Sequence, residues 1–189
     1  MVQTLVFGSA QADIIEPGLG SSFDGIDDLI FAGAGNDFID LSTVDGNVRA
    51  NAGSGDDILL VGSQNSIVGG PGNDQLFVVG NGGNTLTGGA GVDQFWVVNG
   101  EVPSTPNLNV ITDYSLLEGD VIGIGLGGIT PTDVVITDSQ NAFGGAIVSV
   151  LGVDVALVAG VTAVDLAVID GAGIGFNNSI LIIPNAPVI

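Results

Sequence analysis

Gly33-Ala34-Gly35-Asn36-Asp37-Phe38-Ile39, Gly53-Ser54-Gly55-Asp56-Asp57-Ile58-Leu59, Gly69-Gly70-Pro71-Gly72-Asn73-Asp74-Gln75-Leu76 and Gly88-Gly89-Ala90-Gly91-Val92-Asp93-Gln94-Phe95 are four copies of one phrase. Aligned on the aspartate, they follow G-G-x-G-x-D-x-U-x, with U a large hydrophobe and with Ala32 and Ala52 standing in for the first glycine of the first two copies. Glycine reaches positive φ without steric cost, so such a loop turns tightly and can aim its carbonyl groups inward. The residues after the aspartate then form a short strand with U in the core.

A second set of loops lies between these copies. Gly62-Ser63-Gln64-Asn65-Ser66-Ile67 and Asn81-Gly82-Gly83-Asn84-Thr85-Leu86 keep the frame with asparagine in place of aspartate, and Asp45-Gly46-Asn47-Val48 matches more loosely. Upstream, Gly8 to Ile15 and Asp24 to Leu29 also fit. Successive loops of a flattened coil fall on opposite edges. The spacing therefore predicts one edge of Asp13, Asp37, Asp57, Asp74 and Asp93, and another of Asp27, Asn47, Asn65 and Asn84. Aspartates stacked a strand spacing apart repel one another and need cations between them. Asparagines can stack by side-chain hydrogen bonds alone.

In these phrases the chain resembles the repeats-in-toxin (hemolysin-type) calcium-binding repeat family. The resemblance implies a parallel β-roll that binds calcium between successive loops. The residue chemistry agrees: calcium takes roughly six to eight oxygens, and each loop offers backbone carbonyls and one hard carboxylate. The expected metal-site residues are Asp13, Gly33, Gly35, Asp37, Gly53, Gly55, Asp57, Gly70, Gly72, Asp74, Gly89, Gly91 and Asp93. They imply about three to four calcium ions along one edge: three between the four phrases, and a fourth across the longer interval from Asp13 to Asp37.

The remaining sequence reads as a lid on this coil. Phe95-Trp96-Val97-Val98 ends the repeats, with the lone tryptophan expected to plug the end of the roll, and Glu101 to Asn109 is a proline-bearing loop. Ile111-Thr112-Asp113-Tyr114 and Glu118-Gly119-Asp120-Val121-Ile122 resemble the stretch that follows the roll in the family. Asp113, Glu118 and Asp120 could hold a further calcium or simply form a polar turn between strands. Apolar runs at Val134–Thr137, Ala146–Leu151, Val155–Val158, Leu166–Ile169 and Ser179–Ile183, punctuated by glycines, predict a β-meander, with one helical turn over Thr162–Asp165. The expected architecture is all-β: a calcium-binding parallel β-roll (β-solenoid) over residues 1–98 and a C-terminal β-meander cap over 99–189.

Composition narrows the function. The chain has 189 residues, 21 of them acidic against one arginine, Arg49, for a net charge of −20. That balance argues against nucleic acid and anionic membranes as partners. About four calcium ions would leave it near −12, so the ion-free chain should repel itself and the loaded chain should fold. Histidine and cysteine are absent and no lysine is present, which removes triads, thiol chemistry and Schiff bases; we expect no enzyme. No apolar run reads as a membrane span. The N-terminus lacks a basic, long-apolar leader, and the family resemblance implies export by a type I apparatus without a cleaved signal. Mean hydropathy is +0.59 with only 12% charged residues, which predicts apolar surface that packs against copies of the same chain. Thr4–Phe7 and Ile180–Pro184 are the expected adhesive edge strands. The favoured reading is an extracellular calcium-dependent structural protein that self-assembles into a filament or surface layer. The alternative is a monomeric calcium-dependent polysaccharide-binding or adhesion module. Arg49 is expected to pair with nearby Asp45 or, as the alternative, with acids of a neighbouring copy.

Overall fold

The computed structural model describes residues 3–18, 23–97, 107–141, 144–171 and 180–184. Its first twelve strands come in pairs, one pair per coil: β1 (Leu5–Phe7) with β2 (Ile14–Ile15), β3 (Leu29–Ala34) with β4 (Phe38–Leu41), β5 (Arg49–Ser54) with β6 (Ile58–Val61), β7 (Ser66–Pro71) with β8 (Gln75–Val78), β9 (Thr85–Ala90) with β10 (Gln94–Val97), and β11 (Asn109–Ile111) with β12 (Val121–Ile124). Odd strands stack in one parallel sheet and even strands in another. This is the parallel β-roll expected from the repeats. Its parallel pairing continues past Val98 for one further coil, because β11 pairs with β9 and β12 with β10 in the same direction.

The alternation of a strand puts every second side chain inside. Ile30, Ala50, Ile67, Leu86 and Ile111 form the inner column of the first sheet; Ile15, Ile39, Leu59, Leu76, Phe95 and Ile122 form one inner column of the second. All are buried, and they meet as one core. The U position of each phrase is thus the residue that fills the coil.

Five more strands complete both sheets. β13 (Val134–Asp138), β14 (Ala146–Val150) and β15 (Val153–Val158) form an antiparallel meander, and β15 joins the first sheet beside β11. β16 (Leu166–Asp170) and β17 (Ile180–Pro184) form a hairpin-like pair, and β17 joins the second sheet beside β12. A 3-10 turn at Ala163–Asp165 supplies the expected helical turn. The cap therefore prolongs the two sheets into orders β1-β3-β5-β7-β9-β11-β15-β14-β13 and β16-β17-β12-β10-β8-β6-β4-β2.

Three expectations are corrected here. Ile180–Pro184 is an interior strand, hydrogen-bonded to neighbours on both sides, so it offers no free edge. Trp96 does not plug the roll: it lies on the outer face of the second sheet, stacked on Phe77 at 6.0 Å between ring centroids and laid over Gly123, where a Cβ would strike the indole. Among the described residues Arg49 has no carboxylate partner, and Asp45 accepts the Ser63 N–H at 3.0 Å. The loop expected over residues 101–109 falls mostly outside the described residues, as do Met1 and most of the Gly171-Ala172-Gly173 break.

Candidate metal centre

The aspartates of the first edge stand in one column joined by hydrogen bonds. The backbone N–H of each donates to Oδ1 of the next: Asp13 to Asp37 at 2.8 Å, Asp37 to Asp57 at 2.6 Å, Asp57 to Asp74 at 2.8 Å, and Asp74 to Asp93 at 2.9 Å. The 24-residue interval from Asp13 to Asp37 does not break the series. Nor does the column stop at Asp93, whose N–H donates to Asp120 at 2.9 Å. The turn that begins each rung is thus fixed by a carboxylate from the rung above it.

The second oxygen of each carboxylate divides the column. In Asp13 it accepts the Ser9 N–H, and in Asp120 the Ser115 N–H. In Asp37, Asp57, Asp74 and Asp93, Oδ2 is buried with no hydrogen-bond partner. Those residues are the aspartates of the four glycine phrases, and none is more than 2% exposed. A bare carboxylate oxygen out of water is costly unless a proton or a cation meets it. The same stress raises their pKa values. Burial, offset by the backbone N–H and aggravated by neighbouring carboxylates, lifts Asp74 to about 7 and Asp93 to about 6, and raises Asp37 and Asp57.

The glycines give the column its cradle. Gly33, Gly53, Gly70 and Gly89 share φ between 112° and 123°, and Gly35, Gly55, Gly72 and Gly91 share φ between 115° and 147°. Only glycine takes these values cheaply. There is no room for a side chain either: a Cβ on Gly53 would meet the Gly33 carbonyl oxygen, and one on Gly72 the Gly55 carbonyl oxygen. Adjacent loops bond through Gly35 N–H to Ser54, Gly55 N–H to Pro71 and Gly72 N–H to Ala90.

From Val48 to Asn109 the opposite edge solves the same problem without charge. Val48 N–H donates to Asn65 Oδ1, Asn65 N–H to Asn84 Oδ1 and Asn84 N–H to Asn109 Oδ1. Here the other side-chain atom is a donor. Nδ2 of Asn65, Asn84 and Asn109 bonds the carbonyls of Val44, Gly62 and Val155. Asn65 and Asn84 take their expected places, whereas Asp27 and Asn47 lie one position off. The column holds Asp28 and Val48 instead, because Asp27 and Asn47 share the left-handed turn of Gln64, with φ of 54°, 57° and 61°. Asp28 is satisfied by the N–H groups of Thr4 and Gly25.

The sequence did not reveal two other roles. Asn36, Asp56 and Asn73 form an outer ladder, each accepting an N–H from the next loop; they occupy the position before each aspartate, which is the signal that marks them. Asp113 caps the N–H groups of Gly88 and Gly89, both at 2.9 Å. With Asp113 and Asp120 both committed to backbone donors, the stretch after the roll serves as a polar turn that locks the last phrase. Among the described residues no three acidic side chains gather around one point. A metal in the column would therefore meet carboxylates from the rungs and otherwise backbone oxygen, which suits a hard cation.

Comparison with known families places this arrangement. A model of the RTX calcium-binding nonapeptide repeat (4 copies) matches residues 27–43, 40–68 and 68–100. No curated protein matches the chain.

Proposed function

From a chain that carries RTX calcium-binding repeats over residues 27–100, we propose an extracellular structural module that calcium folds and that then assembles with copies of itself. The observation that carries the calcium half is the run of four buried, partnerless Oδ2 atoms at Asp37, Asp57, Asp74 and Asp93. About three to four ions lie along this edge, held by these carboxylates with Asp13 and by the loops turned at Gly33, Gly35, Gly53, Gly55, Gly70, Gly72, Gly89 and Gly91. Weak sites, filled at roughly 10⁻⁴ to 10⁻³ M, suit the outside of a cell and leave the chain ion-free inside it. Repeat rolls of this kind are generally structural and calcium-binding rather than catalytic. No helix among the described residues is long and apolar enough to cross a membrane.

The ends of the roll support assembly. β1 and β2 each pair on one side only, and Leu5, Phe7 and Ile14 there are 56%, 70% and 70% exposed. The far edges, β13 and β16, run in the same direction as β1 and β2, since two antiparallel steps restore the polarity of β15 and one hairpin-like pair restores that of β12. A head-to-tail contact would thus extend the sheets with parallel pairing. Such a contact is heterologous, and if it does not close it gives a filament.

Electron microscopy and sizing chromatography in millimolar calcium, repeated after chelation, test the reading. Ordered assemblies that vanish with chelator are expected. Phe7→Asp combined with Ile14→Asp should abolish them while leaving calcium-dependent folding intact. A chain that stays monomeric at high concentration in calcium sinks the assembly half and leaves the calcium half standing.

A further inference from the structure

In an asparagine–glycine pair the main-chain nitrogen after the side-chain amide is left unshielded, because glycine has no Cβ. Asn81-Gly82 is such a pair, in the turn between β8 and β9 on the asparagine edge. What sets it apart is the state of both groups. Asn81 is exposed and its side chain makes no hydrogen bond, and the Gly82 N–H meets no acceptor among the described residues. Elsewhere on the two edges the nitrogen that follows an asparagine is tied. After Asn36, Asn47 and Asn73 it donates to a side-chain oxygen of the rim. After Asn65, Asn84 and Asn109 it donates to a backbone carbonyl of a neighbouring coil. Asn107 is followed by Leu108, whose side chain crowds the nitrogen. Asn81 is thus the asparagine at which neither the amide nor the adjoining nitrogen is held by a hydrogen bond and no Cβ stands between them.

We propose that Asn81 is a site of spontaneous deamidation, and that its conversion loosens the asparagine edge. The Gly82 nitrogen loses its proton and attacks Asn81 Cγ. The Cγ–Nδ2 bond breaks, ammonia leaves and a cyclic imide closes. Water then opens the ring. Hydrolysis between Cγ and the Gly82 nitrogen gives aspartate. Hydrolysis between the main-chain carbonyl carbon and that nitrogen gives isoaspartate, whose backbone runs through the former side chain with an added methylene. Either product adds negative charge to a chain already at −20. The surroundings make isoaspartate disruptive. Asn81 N–H donates to Ser63 Oγ at 2.8 Å, the Gly82 carbonyl accepts the Gln64 N–H at 3.1 Å, and Gly83 N–H donates to the Asn107 carbonyl at 3.2 Å. A longer backbone between these anchors cannot keep them all, and this is the edge that coheres without ions. The reaction consumes only water, so it rests neither on calcium nor on self-assembly.

Peptide mapping of the folded protein, held over time in millimolar calcium at mildly alkaline pH, tests the site. Conversion at residue 81 should run at least about tenfold faster than at any other described asparagine. It is read from the mass change of amide to acid and from labelling of that peptide by an isoaspartyl methyltransferase. Asn81→Gln should remove the label from that peptide. The aged parent should melt at least about 2 °C below Asn81→Gln aged alongside it. Conversion no faster than at the other described asparagines, or seen only after chelator unfolds the chain, overturns the site. Equal melting of the converted parent and the aged variant overturns the loosening.

Discussion

Asp74 and Asn84 hold corresponding positions on opposite rims, and each accepts one backbone N–H from a neighbouring rung. They differ in the second side-chain atom. Nδ2 of Asn84 donates to Gly62 and Asn109, whereas Oδ2 of Asp74 faces no donor. Converting the charged rim to the neutral chemistry should therefore remove its need for metal. The triple variant Asp57→Asn, Asp74→Asn, Asp93→Asn is expected to show β-sheet circular dichroism in chelator, where the parent does not, and to lose most of its calcium uptake by calorimetry. A variant that still unfolds without calcium would mean that the rim charge is not what opposes folding. Acid should act in the same direction. The carboxyl groups of Asp74 and Asp93, pushed up to about 7 and about 6 by burial, bind protons more tightly folded than unfolded. The ion-free roll should then gain thermal stability as pH falls from about 7 towards 5 and be weakest above about 7. Proton and calcium compete for the same oxygen, so calcium affinity should rise as pH climbs from about 5 to about 7 and level off above that; thermal melts in chelator and calcium titrations across pH check both signs.

At the scale of elements, the glycine phrases were legible because no other residue meets both of their demands, a positive φ and a backbone packed against the next loop. Gly53→Ala should lower the unfolding free energy by about 1–3 kcal/mol or more, seen as a higher calcium requirement for folding. The U positions were legible for a similar reason, since alternation leaves them one place to go. The meander strands and the turn at Thr162–Asp165 could be read from their glycine breaks. Other features depend on partners distant in sequence. Nothing local to Ile180–Pro184 says that it lies between β12 and β16. Asp120 joins the aspartate column through a partner 27 residues away. Asp27 and Asn47 look like rim residues until the left-handed turn shifts the frame by one. Trp96 shows the same limit, because its seat depends on Gly123, a coil later. Gly123→Ala should displace the indole from that seat, with a red shift of the single-tryptophan fluorescence and a loss of about 1–3 kcal/mol in stability.

Taken whole, the molecule carries −20 on a roll whose charged rim is buried, while most of the other described acids are at least partly open to water. Ordinary salt screens the second group and scarcely reaches the first. Sodium chloride at about 1 M should therefore compact the chelated chain without restoring its β-sheet signal, while millimolar calcium restores it fully; circular dichroism with sizing chromatography distinguishes these states. Recovery of the sheet in sodium alone would mean that diffuse repulsion, not the column of bare oxygens, governs folding. The two rims also have a mechanical meaning. The amide side needs no ion to hold its leaves together, whereas the carboxylate side is the fore-edge where they first part. Withdrawing calcium should therefore open the coil along that margin and unravel the rest from it.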